Sequence, residues 1–191
     1  MSIAEPGHYL ADVVEYLKRQ WPDNRTVNIV CHGHSVPAGY FATPLVSTFD
    51  AYPHLSLHML KARFPYAVTN VIVTAIGGEE SASGARRFER DVLSHQPDVV
   101  TIDYGLNDRG IGFAEAERAW RKMIELSLAR QVRVLLLTPT MDVSGLHDPL
   151  PRRSCSSRSM PGRSDAWPTS MPSASWIALR PSRPMCVRAE T

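Results

Sequence analysis

The chain has 191 residues, of which 43% are hydrophobic, and a formal net charge of +2. This length suits one α/β domain and is too short for two ordinary ones. No apolar run approaches the roughly 20 residues of a membrane-spanning helix, and the first residues lack the basic and apolar regions of a secretory signal. The near-neutral charge argues against a nucleic-acid-binding protein. We therefore expect a soluble, cytoplasmic protein without a membrane or nucleic-acid partner, whose oligomeric state the sequence leaves open.

Composition and charge change sharply near residue 148. Residues 1–148 carry a net charge of −3, whereas residues 149–191 contain seven Arg, nine Ser, seven Pro and two acidic residues, a net charge of +5. The second segment has no apolar periodicity that could offset the entropy lost on folding. We predict one α/β domain over 1–148 and an Arg/Ser/Pro-rich tail over 149–191 that is either disordered or translated out of frame.

The first 148 residues alternate between two hydrophobic patterns. Apolar residues at helical spacing predict helices at 8–21, 53–64, 85–93 and 113–130. Short β-branched runs predict buried strands at 27–31, 71–76, 99–104 and 132–137. Such an alternation predicts a parallel sheet with helices on both faces. Right-handed crossovers place the carboxyl ends of all strands at one edge, where ligands bind in open α/β sheets.

Three chemically active groups follow three of these strands. Ser35 follows the first strand, Gly78 the second and Asn107 the third. A serine hydroxyl can attack an acyl carbon. The backbone N–H groups of Ser35 and Gly78, together with the Asn107 amide, can stabilise the oxyanion that forms. Glycine suits the second position because it lets a substrate approach the backbone. The pattern predicts acyl-transfer chemistry with Ser35 as nucleophile.

These blocks resemble the SGNH (GDSL-type) hydrolases. Gly33-His34-Ser35 matches the family's first block, Gly78 the second and Gly105-Leu106-Asn107-Asp108 the third, over residues 1–148. The resemblance implies a flavodoxin-like three-layer α/β/α fold. It also implies an esterase, lipase or carbohydrate deacetylase that acts on a small-molecule ester and needs no metal or cofactor.

The sequence departs from this family in two ways. His34 stands where the family usually has an acidic residue before the serine. The family's fourth block, an Asp-x-x-His that supplies the general base, is missing, since all seven histidines lie at or before His147 and none follows Asp at that spacing. Asp142 and His147 are separated by four residues and directly follow the fourth strand. We therefore expect weak or no activity from the 191 residues, with the last part of the fold disrupted.

The composition of the tail suggests an origin for the missing block. Arg, Ser and Pro are common products of out-of-frame reading of a GC-rich gene. Synonymous codons can be chosen for residues 154–191 so that skipping two nucleotides gives a helix, a strand and a second helix. This is the order that the fold needs after its fourth strand. We predict a frameshift near Pro149, with the original frame continuing towards a histidine block.

Each candidate residue also has a purely structural interpretation. Ser35 can cap a helix, Gly78 can form a tight turn, and Asn107 can satisfy its own loop. His32 and His34 are interpreted as turn residues rather than bases. His54 and His58 lie four residues apart, which suits a metal pair but more commonly marks a helix face. The remaining acids are expected to be exposed in a loop, at Glu79 and Glu80, or structural, at Asp103 and Asp108.

Two other functions compete with ester hydrolysis. A non-catalytic flavodoxin-like domain would bind a small ligand or a partner at the same sheet edge. Alternatively, the seven C-terminal arginines would bind an acidic partner such as nucleic acid, in a salt-sensitive way.

Overall fold

The computed structural model describes residues 7–139 and the backbone of residues 177–178. The strands are β1 (Thr26–Gly33), β2 (Tyr40–Ala42), β3 (Leu45–Val46), β4 (Val68–Val73), β5 (Val99–Asp103), β6 (Arg133–Leu136) and β7 (Ile177–Ala178). The α-helices are α1 (Ala11–Lys18), α2 (Ser35–Ala38), α3 (Tyr52–Arg63), α4 (Ser81–Asp91) and α5 (Phe113–Ala129).

The main sheet has the order β4-β1-β5-β6-β7. Its first four strands are parallel, and β1 is an inner strand that pairs with β4 on one side and β5 on the other. The two residues of β7 pair antiparallel with β6, at Leu135 and Leu136. Strands β2 and β3 form a separate antiparallel hairpin directly after α2. The carboxyl ends of β1, β4 and β5 therefore lie side by side at one edge.

Helices cover both faces of the sheet. On one face, α4 and α5 pack against a core that includes Val30, Val100, Ile102, Phe88 and Met123. On the other face, Val13 and Leu17 of α1 and Leu60 of α3 pack around Val27 and Val99. Alternate residues of β1 and β5 thus point to opposite cores, as the two-residue period of a strand requires. This confirms the predicted three-layer α/β/α architecture with a parallel sheet.

All eight predicted helices and strands are present, with shifted ends. Strand β4 begins at Val68 and ends at Val73, although Thr74 and Ile76 still donate backbone hydrogen bonds to β1. Helix α4 begins at Ser81, because the Glu80 side chain accepts hydrogen bonds from the Ser83 backbone and hydroxyl. Sequence patterns missed α2, the β2–β3 hairpin and β7, which are all too short for a clear period.

Several predictions concern residues outside the described part of the chain. These are the nature of the tail at 149–191, apart from the backbone of β7, and the positions of Asp142 and His147. Within residues 7–139, no helix is both long enough and apolar enough to cross a bilayer.

Candidate active site

Ser35 lies at the turn between β1 and the helix that follows it. It is the first residue of α2, two residues after the end of β1, and its side chain is half-buried. The first N–H groups of a helix have no acceptor within that helix. The backbone N–H of Ser35 therefore makes no hydrogen bond within α2. The turn therefore presents a hydroxyl and a backbone donor together at the sheet edge.

Gly78 lies in a tight turn beside this serine. The turn is closed by the Glu79 N–H, which donates to the Ile76 carbonyl over 3.2 Å. Gly78 is exposed and has a φ of +77°, a backbone conformation that favours glycine. The Ile76 N–H in turn donates to the Gly33 carbonyl at the end of β1, over 3.0 Å. This hydrogen bond holds the Gly78 turn against the strand that carries Ser35.

Asn107 joins the third block to the second. It follows β5, and its Nδ2 donates to the backbone carbonyl of Glu79 over 3.0 Å. The end of β5 is also fixed to the serine turn, since the His34 N–H donates to the Asp103 carbonyl over 3.2 Å. The structure thus brings Ser35, Gly78 and Asn107 to one edge, as the sequence predicts. Whether they act as nucleophile and oxyanion donors stays a prediction.

His34 is a buried residue that caps α2, the helix that begins at Ser35. Its Nδ1 accepts from the Val36 N–H over 3.3 Å and lies 3.4 Å from Ser35 Oγ. Because Nδ1 accepts here, the hydrogen of the neutral ring belongs on Nε2. Nε2 lies 3.5 Å from Asp103 Oδ1 and has no hydrogen-bond partner within the described residues. The interpretation of His34 as a turn residue agrees with this position.

Asp103 is a buried carboxyl at the end of β5. Burial raises its pKa to about 7, from an ordinary value of 3.8. Its contact with His34 at 3.5 Å is too long for a normal hydrogen bond. The sequence predicted a hydrogen-bonded structural aspartate, whereas the structure shows a carboxyl beside a histidine whose own pKa is lowered by burial. Burial thus favours the uncharged form of both groups, and the Asp103 carboxyl loses its proton only near neutral pH.

His32 and Glu79 differ from their sequence interpretations. His32 is a fully buried strand residue rather than a turn residue, because β1 extends to Gly33. The Glu79 side chain is only 7% exposed, in contrast to the predicted exposed acid, because it pairs with Arg87. The two are linked by Tyr104, whose hydroxyl lies 3.1 Å from His32 Nε2 and donates to Glu79 Oε2 over 2.7 Å. Only the alternation of Val30 and His32 along β1 could have indicated an inward-facing histidine.

Other acids and histidines have structural positions. Asp108 is buried and accepts from the Ser81 backbone N–H and from Trp120 Nε1, which confirms its structural role. Glu80 caps α4 and its side chain is 24% exposed, so it is more buried than predicted. His54 and His58 lie on α3, and His54 packs edge-on against Phe49. Within the described residues, no group of three or more metal-binding side chains comes together.

One family model matches the chain. The model of the GDSL-like lipase/acylhydrolase family covers residues 31–159, a range that contains all three blocks and extends past residue 148. No curated protein sequence is significantly similar to the chain.

Several solved structures, two of them of esterases, have a similar fold. A two-domain esterase (CEX) active on acetylated mannans is 25% identical with a TM-score of 0.58, over 68% of this chain and 33% of that one. TesA is 25% identical with a TM-score of 0.53, over 61% of this chain and 62% of its own. Axe2, an acetylxylan esterase from Geobacillus stearothermophilus, is 20% identical with a TM-score of 0.53, over 62% and 64%. The chain therefore spans from a third to just under two thirds of these proteins.

Proposed function

The chain belongs to the GDSL-like lipase/acylhydrolase family, and we propose that it hydrolyses carboxylic esters through an acyl-enzyme on Ser35. The observation that carries this proposal is the hydrogen-bonded edge at which β1, β4 and β5 end. There the Ile76 N–H binds the Gly33 carbonyl on one side of the serine turn, and the His34 N–H binds the Asp103 carbonyl on the other. Asn107 then closes the edge by binding the Glu79 carbonyl.

The chemistry follows from these positions. Ser35 Oγ attacks the ester carbonyl carbon as its proton passes to a base, and the negative charge moves to the carbonyl oxygen. The backbone N–H groups of Ser35 and Gly78 and the second N–H of the Asn107 amide donate to that oxygen. Each such donor contributes about 3–4 kcal/mol to transition-state stabilisation. The alcohol leaves with a proton, and water then releases the acid from Ser35.

Proton removal from Ser35 limits the rate in these 191 residues. No Asp-x-x-His occurs in the sequence. In Axe2, the catalytic mutants that have been solved include changes of an aspartate and of a histidine to alanine. Serine hydrolases that lose triad members keep a rate of only about 10³–10⁴-fold over water. We propose that this chain turns over at that low level and that residues 149–191 do not supply the base.

The proposal is tested with p-nitrophenyl acetate and added imidazole. Imidazole is a small base that can replace a missing histidine side chain at an open site. Ester hydrolysis by the chain should rise with imidazole, beyond the sum of the rates of imidazole alone and the chain alone. Intact-protein mass spectrometry should show one acetyl group, placed on Ser35 by peptide mapping. The matched controls are Ser35→Ala, which should remove both effects, and Ser94→Ala, which should change neither.

The outcomes separate the competing functions. Equal rates and equal acetylation in the chain and in Ser35→Ala would contradict the proposed nucleophile and favour a non-catalytic binding domain. Rapid hydrolysis without imidazole, lost in Ser35→Ala, would confirm the nucleophile but contradict the missing base.

A further inference from the structure

Glu79 is a buried acid directly after Gly78, and the proposed chemistry does not use its side chain. Its carboxylate accepts three hydrogen bonds: Arg87 Nε donates to Oε1 over 2.7 Å, Arg87 Nη2 donates to Oε2 over 2.5 Å, and the Tyr104 hydroxyl donates to Oε2 over 2.7 Å. The Arg87 side chain is 11% exposed. A two-point arginine–carboxylate pair of this kind fixes direction as well as distance.

The Tyr104 hydroxyl is held from its other side by His32. Burial, with a contribution from the nearby Arg87 charge, lowers the pKa of His32 to about 4, so the ring is neutral at pH 7. Since the Tyr104 hydrogen is donated to Glu79, its oxygen accepts from His32 Nε2–H over 3.1 Å. His32 Nδ1 then accepts from the Thr74 hydroxyl over 2.9 Å. The chain of hydrogen bonds has one consistent direction, from Thr74 to Glu79.

The backbone of Glu79 connects this network to the oxyanion donors. Its carbonyl accepts one of the two Nδ2 hydrogens of Asn107, which leaves the second hydrogen for another acceptor. Its N–H closes the turn that holds Gly78 at a positive φ. Glu79 therefore contacts Asn107, one predicted donor, through its backbone carbonyl. It is joined to Gly78, the other predicted donor, by a peptide bond.

We propose that Glu79 is the positioning residue of the oxyanion site: Arg87 and Tyr104 hold its side chain, so that its backbone fixes the Gly78 N–H and the Asn107 amide. This inference rests on the proposed ester hydrolysis. Its physical basis is that donors must be held within about 0.5 Å of their productive positions to stabilise a developing charge. Glu79 does not touch the substrate and acts only through Gly78 and Asn107.

The test compares Glu79→Gln with Glu80→Gln. Both variants replace one carboxylate by an amide of nearly equal size in the same loop, but the Glu80 side chain binds Ser83 and Arg86 and has no part in the network. Acetylation of Ser35 by p-nitrophenyl acetate is followed at saturating imidazole and at several ester concentrations. We expect Glu79→Gln to lower the maximal acetylation rate constant about 10-fold or more at unchanged half-saturation, because misplaced donors weaken the transition state rather than ester binding. Glu80→Gln should acetylate at the rate of the unaltered chain.

A second measurement does not depend on activity. The side-chain ¹H–¹⁵N signals of Asn107, assigned by their loss in Asn107→Ala, should shift in Glu79→Gln and stay in place in Glu80→Gln. Tyr104→Phe removes one hydrogen bond to Glu79 and keeps the ion pair. It should give the same two effects at smaller size. If Glu79→Gln does not fold, Tyr104→Phe is the variant that tests the inference.

The results distinguish this inference from the proposed function. Loss of rate together with shifted Asn107 signals supports the positioning role. An unchanged rate constant in folded Glu79→Gln and Tyr104→Phe, with or without shifted signals, overturns it while leaving Ser35 as nucleophile. A rise in half-saturation alone also overturns it, since that would be an effect on ester binding. Absence of any Ser35-dependent acetylation in the unaltered chain refutes the proposed function instead, and the Asn107 signals still report whether Glu79 holds the amide.

Discussion

Polar side chains lie on both faces of the sheet near the edge that carries Ser35. The two faces differ in how these side chains are hydrogen-bonded to one another. On the α4–α5 face, hydrogen bonds of 2.5–3.1 Å link all members of one network: Thr74, His32, Tyr104, Glu79 and Arg87. On the α1–α3 face, the Tyr52 and Thr101 hydroxyls lie 3.0 Å apart, but the carboxyl of Asp103 faces His34 at 3.5 Å. One side thus has a compensated charge pair, and the other has a buried acid with no close cation among the residues that the structure describes.

The difference assigns separate physical roles to the two faces. A buried ion pair with all its hydrogen bonds made is rigid, and it is costly to break. A buried carboxyl without a partner raises its own pKa instead, here to about 7. The turn at Gly78 is therefore held by the compensated side, whereas the turn at Ser35 lies beside a carboxyl that titrates near neutral pH. The following experiments test this contrast.

The largest expected effect is loss of the ion pair through Arg87→Met. The variant leaves the Glu79 carboxylate buried without a cation, which costs about 3–5 kcal/mol of unfolding free energy. Urea unfolding followed by circular dichroism measures this difference. The matched control is Arg86→Met, because Arg86 is 69% exposed and lies 3.7 Å from Glu80. It should change stability by less than about 1 kcal/mol, and equal losses in both variants would contradict the assigned contrast.

The other face should respond to pH through Asp103. Its folded pKa of about 7 lies above the ordinary 3.8, so the folded protein binds more protons than the unfolded chain between these values. Stability contributed by the protonated carboxyl is therefore present at low pH and is lost as pH rises towards 7. Asp103→Asn lacks this titration. The free energy of unfolding of the variant minus that of the unaltered chain should rise by about 3 kcal/mol between pH 5 and pH 8.

Because the variant and the unaltered chain are compared at the same pH, the contributions of the histidines to the free energy of unfolding cancel. The lowered pKa values of these histidines make stability rise with pH, in the opposite direction to Asp103. Asp12→Asn serves as the control, because the pKa of Asp12 is lowered by its hydrogen bond with Arg133 and the group does not titrate in this window. A flat difference for Asp103→Asn, matching that of Asp12→Asn, would show that Asp103 is ionised in the fold at pH 5.

The contrast also separates what the sequence could predict from what it could not. Ser35, Gly78 and Asn107 each follow a strand. The alternation of helical and strand patterns of apolar residues was therefore sufficient to place them at one edge of the sheet. The support of Glu79 depends on contacts between distant segments. A Cβ at Gly84 of α4 would overlap the Tyr104 hydroxyl, so the glycine lets the tyrosine reach Glu79 between helix and sheet. No local pattern around residues 77–81 reports that packing, and an acid after two glycines is typically exposed in a loop.

The smallest effect concerns His34 and decides whether the turn at Ser35 contains a base for the proposed nucleophile. Nδ1 of His34 accepts the Val36 N–H, so a proton taken from Ser35 would have to displace that capping hydrogen bond. This competition favours His34 as a cap. His34→Ala should cost about 1 kcal/mol of unfolding free energy, while His34→Asn, which keeps an acceptor near Nδ1, should cost less. His34→Asn should also retain the imidazole-dependent acetylation of Ser35. If His34→Asn remains folded but loses the slow acetylation seen without imidazole, and imidazole restores it, then His34 is the base and the capping hydrogen bond is broken during each turnover.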